Sequence, residues 1–205
     1  MARSRPLETN EQREPERLSD RAIDNLRYIR ETMERSASFT AVPGSGGMLM
    51  GVTAIATAYI ALQQPSKDAW LIAWLAEAIL AAAIGLLAMW QKSRIVGQSL
   101  FSVQGRKFVF GFAPPLVAGV AITLGLFRYL HYEMMVPVWM LCYGAAVVTG
   151  GAVSVKAVAI MGWLFITAGI VATLMPTGFG DYFMAATFGL LHIVFGAIIA
   201  KRYGG

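Results

Sequence analysis

Six apolar runs, each about twenty residues long, follow one another between residue 43 and residue 200. They cover roughly 43–62, 69–90, 108–129, 134–154, 157–175 and 182–200. A helix rises ~1.5 Å per residue, so about 20 residues match the ~30 Å hydrocarbon core of a bilayer. A chain of 205 residues cannot bury so much apolar surface in a core of its own. Lipid is therefore the expected solvent. The runs are continuous and do not alternate, which points to helices and away from a β-barrel. The expected fold is all-α, an integral membrane bundle of six transmembrane helices preceded by an amphipathic N-terminal cytoplasmic helix.

Charge is concentrated ahead of these runs. Residues 1–38 hold eight Arg and eight acids, or 16 of the chain's 29 charges, so the segment is neutral. The net charge of +5 arises between the apolar runs, where membrane topology explains it, and nucleic-acid binding is not expected. With the N-terminus inside, the inner segments carry fifteen Lys and Arg against two, Lys67 and Arg128, outside. The positive-inside bias then places both ends in the cytoplasm of a cell whose inner (plasma) membrane holds the chain. No cleavable signal is expected, because 42 polar-rich residues precede the first run.

Three divisions follow. Residues 1–18 read as a disordered polar tail with Pro6 and Pro15 and no apolar period. Residues 19–38 read as an amphipathic cytoplasmic or interfacial helix, starting at Ser19 or Asp20 and running to about Glu34, with Ile23, Leu26, Ile29 and Met33 on one stripe. Arg27–Glu31, Arg30–Glu34 and Glu31–Arg35 are spaced as helix-supporting pairs. Three roles stay open for it: lying on the membrane or the 91–107 loop, a solvated lead into the membrane, or binding a protein partner through residues 19–36. Residues 39–205 form the six-helix domain, read as three hairpins in series, with 91–107 the one sizeable inner loop. Pro43 suits the first helical position. Gly44, Gly46 and Gly47 suit close packing better than a phosphate nest, since no Lys-Ser/Thr ending follows them.

Gly162-Trp163-Leu164-Phe165-Ile166-Thr167-Ala168-Gly169-Ile170, followed by Met175-Pro176, resembles the Gly-spaced hairpins of the acid-resistance (HdeD-like) membrane proteins. The stretch from Asp24 to Met33 and on to Gly47 resembles bacterial multi-pass membrane proteins that carry no assigned activity. The first resemblance covers one hairpin of three, and the second implies nothing about mechanism.

An ionisable group inside a membrane marks a candidate site by default. Glu77 and His192 qualify, at similar depths in the second and sixth spans. They would form one polar site if those helices are neighbours; otherwise Glu77 is protonated and bonded to a Ser, Thr or carbonyl of a neighbouring helix, and His192 is a neutral packing residue. Pro114 and Pro115 in the third span form a candidate hinge, or a fixed bend filled by a neighbour. Arg128, His131 and Glu133 sit with Tyr129 and Tyr132 at the outer end of that span, as a membrane anchor or an outer-face site. Trp70 and Trp139 belong to the same belt. The glycines of the later spans, and the Gly47–Gly51 step, should let helices approach closely, within this bundle or in a homo-oligomer. Neither catalytic motif nor metal-ligand spacing is present, and neither haem nor another cofactor is expected. The leading expectation is an accessory, sensor or assembly partner of the membrane without catalytic activity. A small transporter or channel around Glu77 and His192 is the alternative.

Overall fold

The structure, a computed structural model, describes residues 21–29 and 38–203. The chain divides into two units, Met1–Ala37 and Ser38–Gly205. In the first, residues 21–29 are helical, and Ile23, Leu26, Tyr28 and Ile29 are exposed. The rest of the helix expected over 19–34, with its three i,i+4 ion pairs and Met33, lies outside the described residues, as does the polar tail.

The second unit is a multi-pass bundle of six helices, each long and apolar enough to cross a bilayer. Counting the helix at 21–29 as α1, they are α2 (Gly44–Ala61), α3 (Lys67–Val96), α4 (Val103–Arg128), α5 (Met135–Gly151), α6 (Lys156–Leu174) and α7 (Gly180–Tyr203). A 3-10 turn at Tyr132–Met134 leads into α5, and α7 contains a π-helical stretch, Ala185–Leu191. Apolar residues circle α2, α3, α5 and α6 instead of forming one stripe, as they do where lipid and protein are both apolar. Helices are the natural choice there, because every backbone group finds its partner within the segment.

Local chemistry sets the ends. The Ser66 hydroxyl accepts from the Ala69 N–H (3.1 Å) and starts α3, and Gly97, at φ 68°, ends it. The Ser102 hydroxyl accepts from the Gly105 N–H (3.1 Å) and starts α4. The expected 91–107 loop thus shrinks to a link between Val96 and Val103, because these caps extend helix on both sides of it. Pro43 stands one residue before α2, at φ −82° and ψ 129°, instead of at its first helical position.

The expected three hairpins in series hold for the first two pairs only. Helix α2 packs on α3 and α4 packs on α5, but α6 packs chiefly on α5 and α7 chiefly on α2. Glycine dictates that exchange. A methyl group added at Gly51 would lie 2.5 Å from the Gly189 carbonyl oxygen, and one at Gly196 would lie 2.7 Å from the Gly44 carbonyl oxygen. Gly44 in turn lies against the backbone of Gly196 and Ala200. The seven-residue steps Gly44–Gly51 and Gly189–Gly196 therefore bring α2 and α7 together as antiparallel backbones in van der Waals contact. Gly144 and Gly162 do the same between α5 and α6, each 2.9 Å from the other's carbonyl when a methyl is added.

Two ends of the bundle follow from this geometry. The terminal face holds the start of α2 and the end of α7, and the opposite face holds the α2–α3, α4–α5 and α6–α7 links. The main core lies between α5, α6 and α7, around Met140, Val147, Met161 and Phe165.

Candidate functional site

Glu77 is 6% exposed and turns toward α2. Thr53 donates to its Oε1 (2.8 Å) and Thr57 to its Oε2 (3.1 Å). The two threonines are four residues apart, so their hydroxyls stand on one face of α2, one turn from each other. The Thr53 hydroxyl has one hydrogen and a second acceptor in reach, the Met50 carbonyl at 2.9 Å. Both carboxyl oxygens are thus engaged by the neighbouring helix.

A second acid is held by the same geometry. Asp181, at the start of α7, accepts from the indole N–H groups of Trp70 (2.8 Å) and Trp74 (3.0 Å), again four residues apart, on α3. Trp70 stacks on Trp139 at 5.6 Å with an interplanar angle of 3°, and Trp139 donates to the Thr123 hydroxyl (2.8 Å). These belt tryptophans are partly buried and join α3, α4, α5 and α7 to one another, beyond the anchoring expected of them.

His192 is 5% exposed and follows directly on the π-helical stretch. Its Nε2 lies 2.7 Å from the Tyr143 hydroxyl; which atom carries the proton depends on the imidazole tautomer. The ring is walled by Tyr143, Phe165 and Phe188, at centroid distances of 5.4, 5.5 and 6.2 Å. Nδ1 is buried and makes no hydrogen bond of strict geometry, and the backbone of Thr187 and Phe188 supplies the polar groups that interact with the ring. Stretches of π-helix cluster at functional positions in proteins generally.

Glu77 and His192 are not joined. Helix α2 packs on both α3 and α7, and each residue is held by a different partner, the threonines of α2 and Tyr143 of α5.

Pro114 and Pro115 lie within an unbroken α4. Pro115 lacks the N–H that would bond the Gly111 carbonyl four residues earlier. The Thr149 hydroxyl of α5 fills that gap at 2.7 Å, sharing its hydrogen with the carbonyls of Ala145 (2.8 Å) and Ala146 (3.1 Å) of its own helix. A neighbouring helix thus serves the carbonyl that the proline leaves free. Thr149→Val keeps the shape and removes the donor, so it is expected to lower stability by about 1 kcal/mol. A thermal shift of the detergent-solubilised protein checks it.

At the opposite face Glu133 lies 3.5 Å from His131 Nδ1 and 3.7 Å from Lys67 Nζ. His131 and Lys67 are largely exposed, so these pairs are screened by solvent and contribute little. Tyr132 is buried and its hydroxyl donates to Asp68. Arg128 is exposed at the end of α4. A pocket of about 30 Å³ lies near Glu133, Pro137 and Phe183, room for about one water molecule. Among the described residues no three His, Cys, Asp or Glu side chains converge as metal ligands.

Tyr143, Thr53, Thr57 and Asp181 are not among the residues that the sequence marks as candidate sites. Thr53-x-x-x-Thr57 and Trp70-x-x-x-Trp74 are visible as paired donors at helical spacing, and each pair serves one acid. Tyr143 carries no such signal. No family model matches this chain, and no similar curated protein or solved structure was found for it.

Proposed function

We propose that the chain is a small multi-pass protein of a bacterial inner membrane, with both ends cytoplasmic, that works as an accessory, sensor or assembly partner and has no catalytic activity. The Lys and Arg bias of fifteen to two supports the orientation. Glu77 carries the functional reading. A transport path needs polar groups that face a cavity or exchange partners, whereas both Glu77 oxygens are engaged in holding α3 to α2. The working surface is then the N-terminal segment, where Leu26 is 66% exposed beside exposed Ile23 and Ile29. An apolar stripe on a helix outside the spans is the kind of face a partner helix or groove takes.

A photo-crosslinking residue at position 26 tests this in cells. One discrete adduct is expected, lost when Ile23 and Ile29 become Ser and retained in Glu77→Gln. Retention in the serine variant, or loss in Glu77→Gln, would count against the N-terminal segment as the working part.

One observation favours the alternative, a small transporter or channel: the unpartnered His192 Nδ1 beside a π-helical stretch. His192→Phe would abolish flux in a transporter and leave the adduct at position 26 unchanged in an interaction protein.

A further inference from the structure

Residues 38–43 enter the terminal face as an extended strap, and their backbone is paired on both edges in the alternating manner of a β-strand. On one edge the Phe39 N–H donates to the Val153 carbonyl (2.8 Å) and the Ser154 hydroxyl donates to the Phe39 carbonyl (2.7 Å). On the other edge a side chain stands in for a strand. Gln98 Oε1 accepts from the Thr40 N–H (3.0 Å), and Gln98 Nε2 donates to the Ser38 carbonyl (3.3 Å). Lys92, buried near the end of α3, donates to the Val42 carbonyl (2.9 Å). The strap is thus fastened by one backbone bond and a few side chains, not by a continuous ladder.

Phe39 is 1% exposed and begins a line of packed rings. Phe39 meets Phe108 at 5.1 Å, Phe108 meets Phe112 at 5.5 Å, and Phe112 meets Tyr143 at 6.1 Å. Tyr143 bonds His192, where the line ends on the unpartnered Nδ1 and the π-helical stretch. One end of the column is therefore fastened by breakable bonds, and the other carries an unsatisfied atom on an irregular turn. Close-packed interiors do not deform smoothly, so a shift at one end of such a column is met by repacking along it.

We propose that residues 38–43 are a releasable latch: seated, Phe39 holds the aromatic column in the arrangement that leaves His192 Nδ1 unpartnered, and released, the column repacks around His192. The latch rests on the reading that the N-terminal segment is the working part, since that segment directly precedes Ser38 in the chain. Contact along the line is not coupling in itself; both ends must respond together.

The test uses the full chain in lipid nanodiscs, with His131→Gln leaving His192 as the sole histidine. Gln98→Ala with Ser154→Ala unfastens the strap. Amide exchange at Phe39 should rise by about tenfold or more, since the double variant removes the three bonds that Gln98 makes with Ser38 and Thr40 and the one from Ser154 to Phe39, and the His192 imidazole nitrogen resonances should shift. Ser154→Thr alone, which keeps the hydroxyl, should move neither. Faster exchange with unshifted resonances would overturn the latch, as would exchange that stays slow. Should the double variant not fold, Gln98→Ala alone must move both readouts in the same direction, by less, or the proposal fails. No partner is present in this experiment, so its failure is separate from the loss of the adduct at position 26.

Discussion

Gly51→Leu is expected to keep the bundle from closing. The added Cβ alone would lie 2.5 Å from the Gly189 carbonyl oxygen and 2.9 Å from the Ile193 nitrogen, both backbone atoms of α7 that cannot swing aside. Overpacking of ordinary side chains costs about 1–3 kcal/mol, and a backbone obstacle puts this substitution at or above the upper end. Helix α7 has α2 as its main partner, so the loss is not confined to one contact. The control is Gly125→Ala. Nothing lies within 4 Å of a methyl group at Gly125, and alanine is the better helix former by about 1 kcal/mol. Reversible unfolding in mixed micelles should show a large drop for Gly51→Leu and none for Gly125→Ala.

Glu77→Ala should be the second most damaging change, at about 2–4 kcal/mol, and Glu77→Gln should cost less than about 1 kcal/mol. The difference lies in what is left behind. Alanine removes two interhelical bonds and opens a void between α2 and α3, while the freed Thr53 hydroxyl returns to the Met50 carbonyl. The penalty is therefore lost packing and lost contact, not an orphaned hydroxyl. Glutamine keeps the volume and offers an oxygen to Thr57 and an N–H₂ to Thr53. The same unfolding assay separates the two variants. A Glu77→Gln protein as damaged as Glu77→Ala would mean that the carboxyl has a charge-dependent role that two threonines do not explain.

The six spans were legible in the sequence because length and continuous apolarity are enough to specify a bilayer-crossing helix. Their ends were less so. The helix from Lys67 to Val96 outruns its apolar centre, and the polar residues Gln91, Lys92, Ser93 and Arg94 stay helical until Gly97 provides the left-handed stop. Helix order was illegible for a different reason. Short links suggest that sequential helices pair, but Gly44, Gly51, Gly189 and Gly196 pair the first span with the last. That choice depends on four residues whose spacing means something only when both helices are aligned. Glu77 and His192 stood out as ionisable residues in apolar runs. Their partners did not, because a threonine or tyrosine in a span is common and becomes a ligand only through the packing. The strap at 38–43 lay in what reads as a helix start, and its fastening by Gln98 and Ser154 joins residues 58 and 115 positions away.

Everything above requires both ends on one face, as six crossings dictate, and labelling of the two ends tests that most directly. With Cys142 replaced by Ala, single cysteines at Ser4 and at Gly204 are exposed in turn to a membrane-impermeant maleimide in intact cells. Both should stay unlabelled until the membrane is permeabilised and then label together. Label on one end only in intact cells would mean an odd number of crossings, and the pairing of α2 with α7 would fall with it.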